Sequence, residues 1–267
     1  MIIYPKKSLG QNFLVNQGIL DKIVGAAEVG PKDTVIEVGP GTGNLTRKLS
    51  EKAKRVVAVE KDHRLIDSLQ EQFKNSNVEI VEGDVLKLDI GKLFENCKLK
   101  IENCDYKVIG NIPYYITSHF LRTVFEEWPK PKLTVLTVQK EVAQRIMAKP
   151  PHMNLLALSV QFYSNPTIIG YISKGSFRPM PKVDSAIISL RPKAESLKPA
   201  DKDLFFKLVK AGFSEKRKQL LSNLSSTGYK KWALEEIFDK LKISRQARAQ
   251  ELSIPQWIDI CHETKFL

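Results

Sequence analysis

Residues 35–43 read VIEVGPGTG, an apolar strand that runs into glycines at three alternate positions. Glycine accepts left-handed backbone and lets a ligand come close to the main chain. A strand ending in such a loop and followed by an amphipathic stretch, Asn44–Ala53, is how a doubly wound sheet builds a ligand site at its strand ends. The same rhythm fills the first two-thirds of the chain. Short apolar runs at Thr34–Val38, Arg55–Glu60, Val78–Val81, Lys107–Ile109 and Leu133–Val138 alternate with amphipathic stretches such as His63–Phe73. Strand and helix in alternation predict an α/β fold with a mostly parallel sheet and helices on both faces. Thr167–Ile172 and Ala186–Leu190 read as strands with no long helix between them. They predict an antiparallel hairpin at one edge.

The pattern changes between Arg191 and Pro199, where prolines and charges predict a linker. Beyond it, Leu204–Phe213, Lys216–Leu224, Trp232–Leu241 and Pro255–His262 have helical period. Two domains are therefore expected: a catalytic α/β domain over 1–191 and a small all-helical domain over 200–267.

The formal net charge is +12, with 42 Lys+Arg against 30 Asp+Glu, which points to a polyanionic partner. Residues 193–267 hold 15 Lys+Arg and 10 Asp+Glu, and Lys216, Arg217 and Lys218 are the densest run. No apolar run approaches the roughly 20 residues of a membrane span, and Met1–Phe13 is polar, so a cytoplasmic protein is expected. Cys97, Cys104 and Cys261 form no CxxC pair and the four histidines do not cluster with them. Neither a metal site nor a disulfide framework is expected.

In a dinucleotide fingerprint the third glycine would come one position later than Gly43. The early glycine favours a nucleoside ligand with no pyrophosphate to cradle. Glu60 closes the second strand, where an acid can accept from both hydroxyls of a ribose. Asp84, in EGDV, follows the third and could accept from an adenine amine.

Residues 110–115 read GNIPYY after the fourth strand. The exocyclic amine of adenine is a weak nucleophile because its lone pair is delocalised into the ring. Acceptors around the NH₂ group can turn that lone pair toward a methyl donor. Asn111 supplies a side-chain oxygen, Pro113 stiffens the turn and directs the preceding carbonyl, and Tyr114 offers a face for stacking. Asn-Ile-Pro-Tyr differs from the Asn-Pro-Pro-Tyr or Asp-Pro-Pro-Tyr expected of a DNA adenine methyltransferase.

Together these segments resemble the ribosomal RNA adenine dimethyltransferase family over nearly the whole chain. KKSLGQNFL at Lys6–Leu14, VIEVGPGTGNLT, Glu60, Gly83–Asp84 and NIPYY follow in family order. FRPMPKVDSAI at Phe177–Ile187 and FSEKRKQLLSNL at Phe213–Leu224 complete the match, with Met180 where a proline is common. The resemblance implies a Rossmann-like S-adenosylmethionine-dependent methyltransferase fold: a mostly parallel seven-stranded sheet with an antiparallel edge strand, plus a small C-terminal all-helical domain. It implies S-adenosylmethionine as cofactor, held by Gln11, Asn12, Leu14, Gly39, Gly41, Glu60, Asp84 and Asn111, with Gln11 in a supporting role. Asn111 would touch both cofactor and target amine, while Tyr114 and Phe177 would sandwich a flipped-out base. VDSA and the FSEKRKQLLSNL stretch are similar to the branch that dimethylates paired adenines near the 3′ end of small-subunit ribosomal RNA. The implied partner is that RNA in a partly assembled small subunit; a monomeric enzyme is expected, and the charge run Lys216, Arg217 and Lys218 is the expected RNA contact.

Overall fold

In the computed structural model, residues 5–6, 9–96, 106–193 and 199–266 are described; Lys7, Ser8, Cys97 and Cys104 lie outside them. The valine- and isoleucine-rich runs become central strands buried on both faces, as expected where helices cover both sides of a parallel sheet. These are β2 (Thr34–Val38), β3 (Arg55–Glu60), β5 (Tyr106–Asn111) and β6 (Leu133–Gln139). With β4 (Val78–Glu82), β7 (Ser164–Ile172) and β9 (Ser185–Pro192) they form one seven-stranded sheet in the order β4-β3-β2-β5-β6-β9-β7. From β4 through β6 all neighbours are parallel. β9 runs antiparallel to β6, with Thr137 opposite Ile187, so the antiparallel pairing falls at one end of the sheet. The order reverses between β2 and β5, which puts the ligand crevice at their C-terminal ends.

Helices α2 (Asn44–Ser50), α3 (His63–Gln72), α4 (Ile90–Asn96), α5 (Thr117–Glu126) and α6 (Lys140–Ile146) follow these strands. Helix α3 begins where Asp62 caps it, its carboxylate accepting from the Arg64 amide. The sequence reading leaves several elements unnamed, and two of them shape the site. One is α1 (Gln17–Ala26), capped by Asn16, which buries Leu20, Ile23 and Val24. The other is a two-stranded antiparallel ribbon of β1 (Phe13–Leu14) and β8 (Phe177–Arg178). The ribbon joins the N-terminal segment to the late motif.

The second unit differs from expectation in its boundary. Residues 144–164 group with 193–267, whereas the predicted catalytic domain ran unbroken over 1–191. The physical reason is packing. Helix α7 (Leu155–Tyr163) buries Ala157, Leu158 and Phe162 in one core with Phe205, Phe238 and Trp257. Phe162 stacks on Phe205 at 4.5 Å. Helices α8 (Pro199–Gly212), α9 (Leu220–Ser225), α10 (Lys231–Lys240) and α11 (Ile254–Thr264) complete the unit. Gly212 is required there, since a Cβ would lie 2.4 Å from the Trp257 ring. Among the described residues no helix is long and apolar enough to cross a membrane.

Candidate active site

The C-terminal ends of β2, β3, β4 and β5 open onto one cleft holding about 1050 Å³ of space, its open mouth included. Gln11, Asn12, Leu14, Gly39, Gly41, Glu60, Asp84, Asn111 and Tyr114 all line it. Sequence segments up to a hundred residues apart thus converge on one site.

The glycine loop is shaped for close approach. Gly41 has φ +58°, and a Cβ there would meet the Phe13 ring at 2.8 Å. Its amide donates to Glu60 Oε2 at 3.0 Å, while the Asp62 amide donates to Oε1 at 2.8 Å. Each Glu60 oxygen keeps acceptor capacity for a further donor. Burial raises the Glu60 carboxyl, and the amides of Asp62, Gly41 and Lys61 offset only part of that rise.

Asp84 stands one strand over. Burial pushes it upward, but the Lys61 ammonium at 2.8 Å and the Leu86 amide at 3.1 Å outweigh this and leave it lowered. Among the described residues lining the cleft, Lys61 is the one cation, and it is paired with Asp84. Two acids against one neutralised cation repel a diphosphate and suit a ligand bearing a sulfonium and an ammonium. The close approach allowed at Gly39 and Gly41, the buried acid at the end of β3 and this charge balance fit S-adenosylmethionine.

The N-terminal segment is fastened to this floor. Gln11 Nε2 donates to Asp62 Oδ2 at 2.8 Å, and Gln11 Oε1 accepts from the Lys6 amide at 2.7 Å. Asp62 is nearly inaccessible, and the bidentate Arg64 guanidinium holds its carboxyl far below the usual carboxylate range. Gln11 thereby ties the N-terminal segment to the start of α3. Asn44 Nδ2 donates to the Leu14 carbonyl at 3.0 Å and ties the segment to α2.

At the other end of the cleft, Asn111 closes β5. Its Nδ2 donates to the Asn12 carbonyl at 3.0 Å, and its Oδ1 accepts from Thr137 Oγ1. The following Pro113 has φ −56° and ψ 134°, and turns the chain into the 3₁₀ turn Tyr114–Ile116. The Tyr114 hydroxyl shares a hydrogen with Ser185 Oγ at 2.6 Å, which anchors the ring. Burial raises this phenol despite the serine contact.

Two sequence expectations are corrected. Phe177 does not line the cleft: it is 0% exposed and packs in the core with Leu14, Leu20, Val35 and Ile187. Pairing of β8 with β1 places Phe177 opposite Leu14 and turns it inward, so Tyr114 alone of the expected pair meets the cleft. Lys216, Arg217 and Lys218 are not on a helix. They sit exposed on the turn before α9, where Lys218 pairs with Glu215 at 2.7 Å. Asn223 Nδ2 holds that turn by donating to the Gly212 and Glu215 carbonyls. Residues missed by the sequence reading are Phe13, Lys61, Asp62 and Thr137. The first three adjoin motif residues in the chain and could have been flagged by that adjacency. Thr137 is found only through strand register.

The sheet order and the cleft at its strand ends define a Rossmann-like methyltransferase. The ribosomal RNA adenine dimethylase family matches residues 4–265, and this chain belongs to that family. It is 42% identical, over 97% of its length and 88% of the relative's, to "Ribosomal RNA small subunit methyltransferase A" of Dehalococcoides mccartyi. A protein of the same name from Alkaliphilus oremlandii is also 42% identical, over 94% of this chain and 88% of that one. Among solved structures, a dimethyladenosine transferase from Plasmodium falciparum aligns with TM-score 0.81 and 28% identity over 95% of this chain and 98% of its own. The 23S rRNA methyltransferase ErmE aligns with TM-score 0.74 and 26% identity over 95% and 100%.

Glu60→Ala is expected to weaken S-adenosylmethionine binding by ~1.5–3 kcal/mol, since charge-assisted hydrogen bonds are lost. Calorimetric titration with unchanged affinity in that variant would place the ribose elsewhere.

Proposed function

We propose that this chain transfers methyl groups from S-adenosylmethionine to the exocyclic amines of two adjacent adenines near the 3′ end of small-subunit ribosomal RNA, dimethylating each. The observation that carries the reading is the placement of Asn111 at the end of β5, facing the same cleft as Glu60 and Asp84. Two acids that could accept from a nucleoside and a side chain that could accept from an amine thus line one cavity.

When bound, S-adenosylmethionine supplies a sulfonium methyl for in-line displacement. The chain's own task is positioning and exclusion of water. Asn111 Oδ1 and the Ile112 carbonyl accept from the target NH₂ and aim its lone pair along the cleft. Tyr114, anchored through Ser185, stacks on the base; such a contact contributes ~1–3 kcal/mol toward the cost of unstacking it from folded RNA. The proton leaves to water after the methyl has moved, so no side-chain base is needed.

Selection among many adenines rests on shape and phosphate contacts, because the cleft addresses one flipped base. The basic helical segment 200–267 serves as a docking domain, with Lys216, Arg217 and Lys218 on its exposed turn. The enzyme works as a monomer on a partly assembled small subunit. RNA affinity falls steeply with salt as phosphate contacts release counterions. Replacing Lys216, Arg217 and Lys218 together by alanine is expected to flatten a plot of log affinity against log salt by up to about three counterions' worth. An unchanged slope would return that turn to a merely solvated role.

The deciding experiment maps dimethyladenosine in ribosomal RNA from cells with and without the gene, and compares rates on a short 3′-terminal hairpin, deproteinised RNA and unmodified subunits. Loss of the modification without the gene, and a preference for subunits, are the expected results. Equal rates on all three substrates would remove the docking role.

A further inference from the structure

Asn111 is the acceptor on which the amine-directed reading depends, yet an amide side chain offers a donor and an acceptor of nearly equal shape. Something must fix which end faces where. The Asn12 carbonyl can only accept, so the group 3.0 Å from it is Nδ2. That assignment turns Oδ1 toward Thr137, whose hydroxyl must then donate. Thr137 is fully buried on β6, directly opposite Asn111 in the parallel register with β5. Its hydroxyl sees no solvent and is committed to this bond.

We infer that Thr137 is a positioning residue of the methyl transfer: its hydroxyl, with the Asn12 carbonyl, locks the Asn111 amide with one Oδ1 acceptor position left for the target amine. This rests on the reading of Asn111 as the amine acceptor. Oδ1 accepts two hydrogen bonds, and Thr137 takes one. The remaining position is the one available to an N–H of adenine or of its monomethyl product. The lock also links the two ends of the reaction. The segment that carries the Asn12 carbonyl is the one Gln11 fastens to Asp62 beside the ribose acid Glu60. Without the hydroxyl, Oδ1 would face a methyl group, and the amide would turn toward the wet cleft to recover a donor. The amine would then meet an acceptor held in several orientations, which slows transfer while leaving the cofactor's contacts in place.

The test uses the full-length enzyme on unmodified small subunits. Thr137→Val keeps shape and β propensity and removes only the donor. It is expected to lower kcat about tenfold, with the S-adenosylmethionine Kd and the RNA KM within twofold of wild type. Thr137→Ser should restore kcat to within about threefold. In an Asn111→Ala background, Thr137→Val should have almost no further effect, because the group it positions is gone. A wild-type kcat for Thr137→Val, or an equal tenfold loss in both backgrounds, would overturn the inference. A full-speed Asn111→Ala enzyme would instead remove the parent reading, so the two failures are distinguishable. If Thr137→Val loses cooperative melting, Thr137→Cys, of similar size and a weak donor, carries the same expectation and the same overturning result.

Discussion

Replacing Asn111 with alanine is expected to lower the methylation rate about 100-fold while S-adenosylmethionine affinity changes less than fivefold. The separation follows from where the side chain sits. In the proposed reading Glu60, which closes β3, and Asp84, two residues beyond β4, address the cofactor, and among the described residues neither is hydrogen-bonded to Asn111. Asn111 instead bridges Thr137 and the Asn12 carbonyl at the end of β5. Its removal costs the N-terminal segment one tether, but Gln11–Asp62 and Asn44–Leu14 remain to hold it. The target amine loses its side-chain acceptor, and its lone pair is no longer aimed. Single-turnover rates on unmodified subunits, set beside calorimetric Kd values, check this. Equal losses in rate and affinity would make Asn111 a cofactor ligand only.

The parallel strands could be read to within a residue or two because their cause is local. Thr34–Val38 and Arg55–Glu60 are β-branched runs bounded by turn residues, and both occur as read. The cleft was legible for the same reason: its glycines, acids and Asn111 are the residues at strand ends, and a parallel sheet puts strand ends together. What failed to show was set by tertiary pairing. The phenylalanine at 177 has the same local sequence whether it faces a ligand or a core, and only the β1–β8 ribbon decides for the core. Residues 144–164 read as part of the α/β alternation, but their apolar face is satisfied by Phe205 and Trp257. Lys216–Lys218 have helical composition, yet Asn223 caps a turn beneath them. Thr137 acquires meaning only from its register against Asn111.

The second large effect concerns Glu37, which is 1% exposed in the middle of β2, two residues before the glycine loop. Among the described residues neither carboxyl oxygen has a hydrogen-bond partner. Burial pushes its pKa from 4.5 up to about 8; nearby Thr46 opposes the rise and the Glu60 charge adds to it. Glu37 is therefore protonated at neutral pH and needs only to lose that proton to become an uncompensated buried charge. The folded state holds the proton more tightly than the unfolded chain does. The stability this confers is fully present below about pH 4.5 and is lost as pH rises through about 8. At 1.36 kcal/mol per pKa unit the whole shift corresponds to roughly 5 kcal/mol, an upper bound because a wetted or opened loop would relieve part of it. Most of that falls between pH 5 and 8. Glu37→Gln keeps the shape and cannot ionise, so its unfolding free energy is expected to vary with pH at least ~2 kcal/mol less than wild type between pH 5.5 and 8.5. Urea melts across that range measure it. The same charge would lie under the loop whose Gly41 amide orients Glu60. Wild-type affinity for S-adenosylmethionine should accordingly weaken above pH 8, and Glu37→Gln should not. Parallel pH profiles for the two proteins, in both stability and affinity, would mean that Glu37 is hydrated or hydrogen-bonded in solution and carries no penalty.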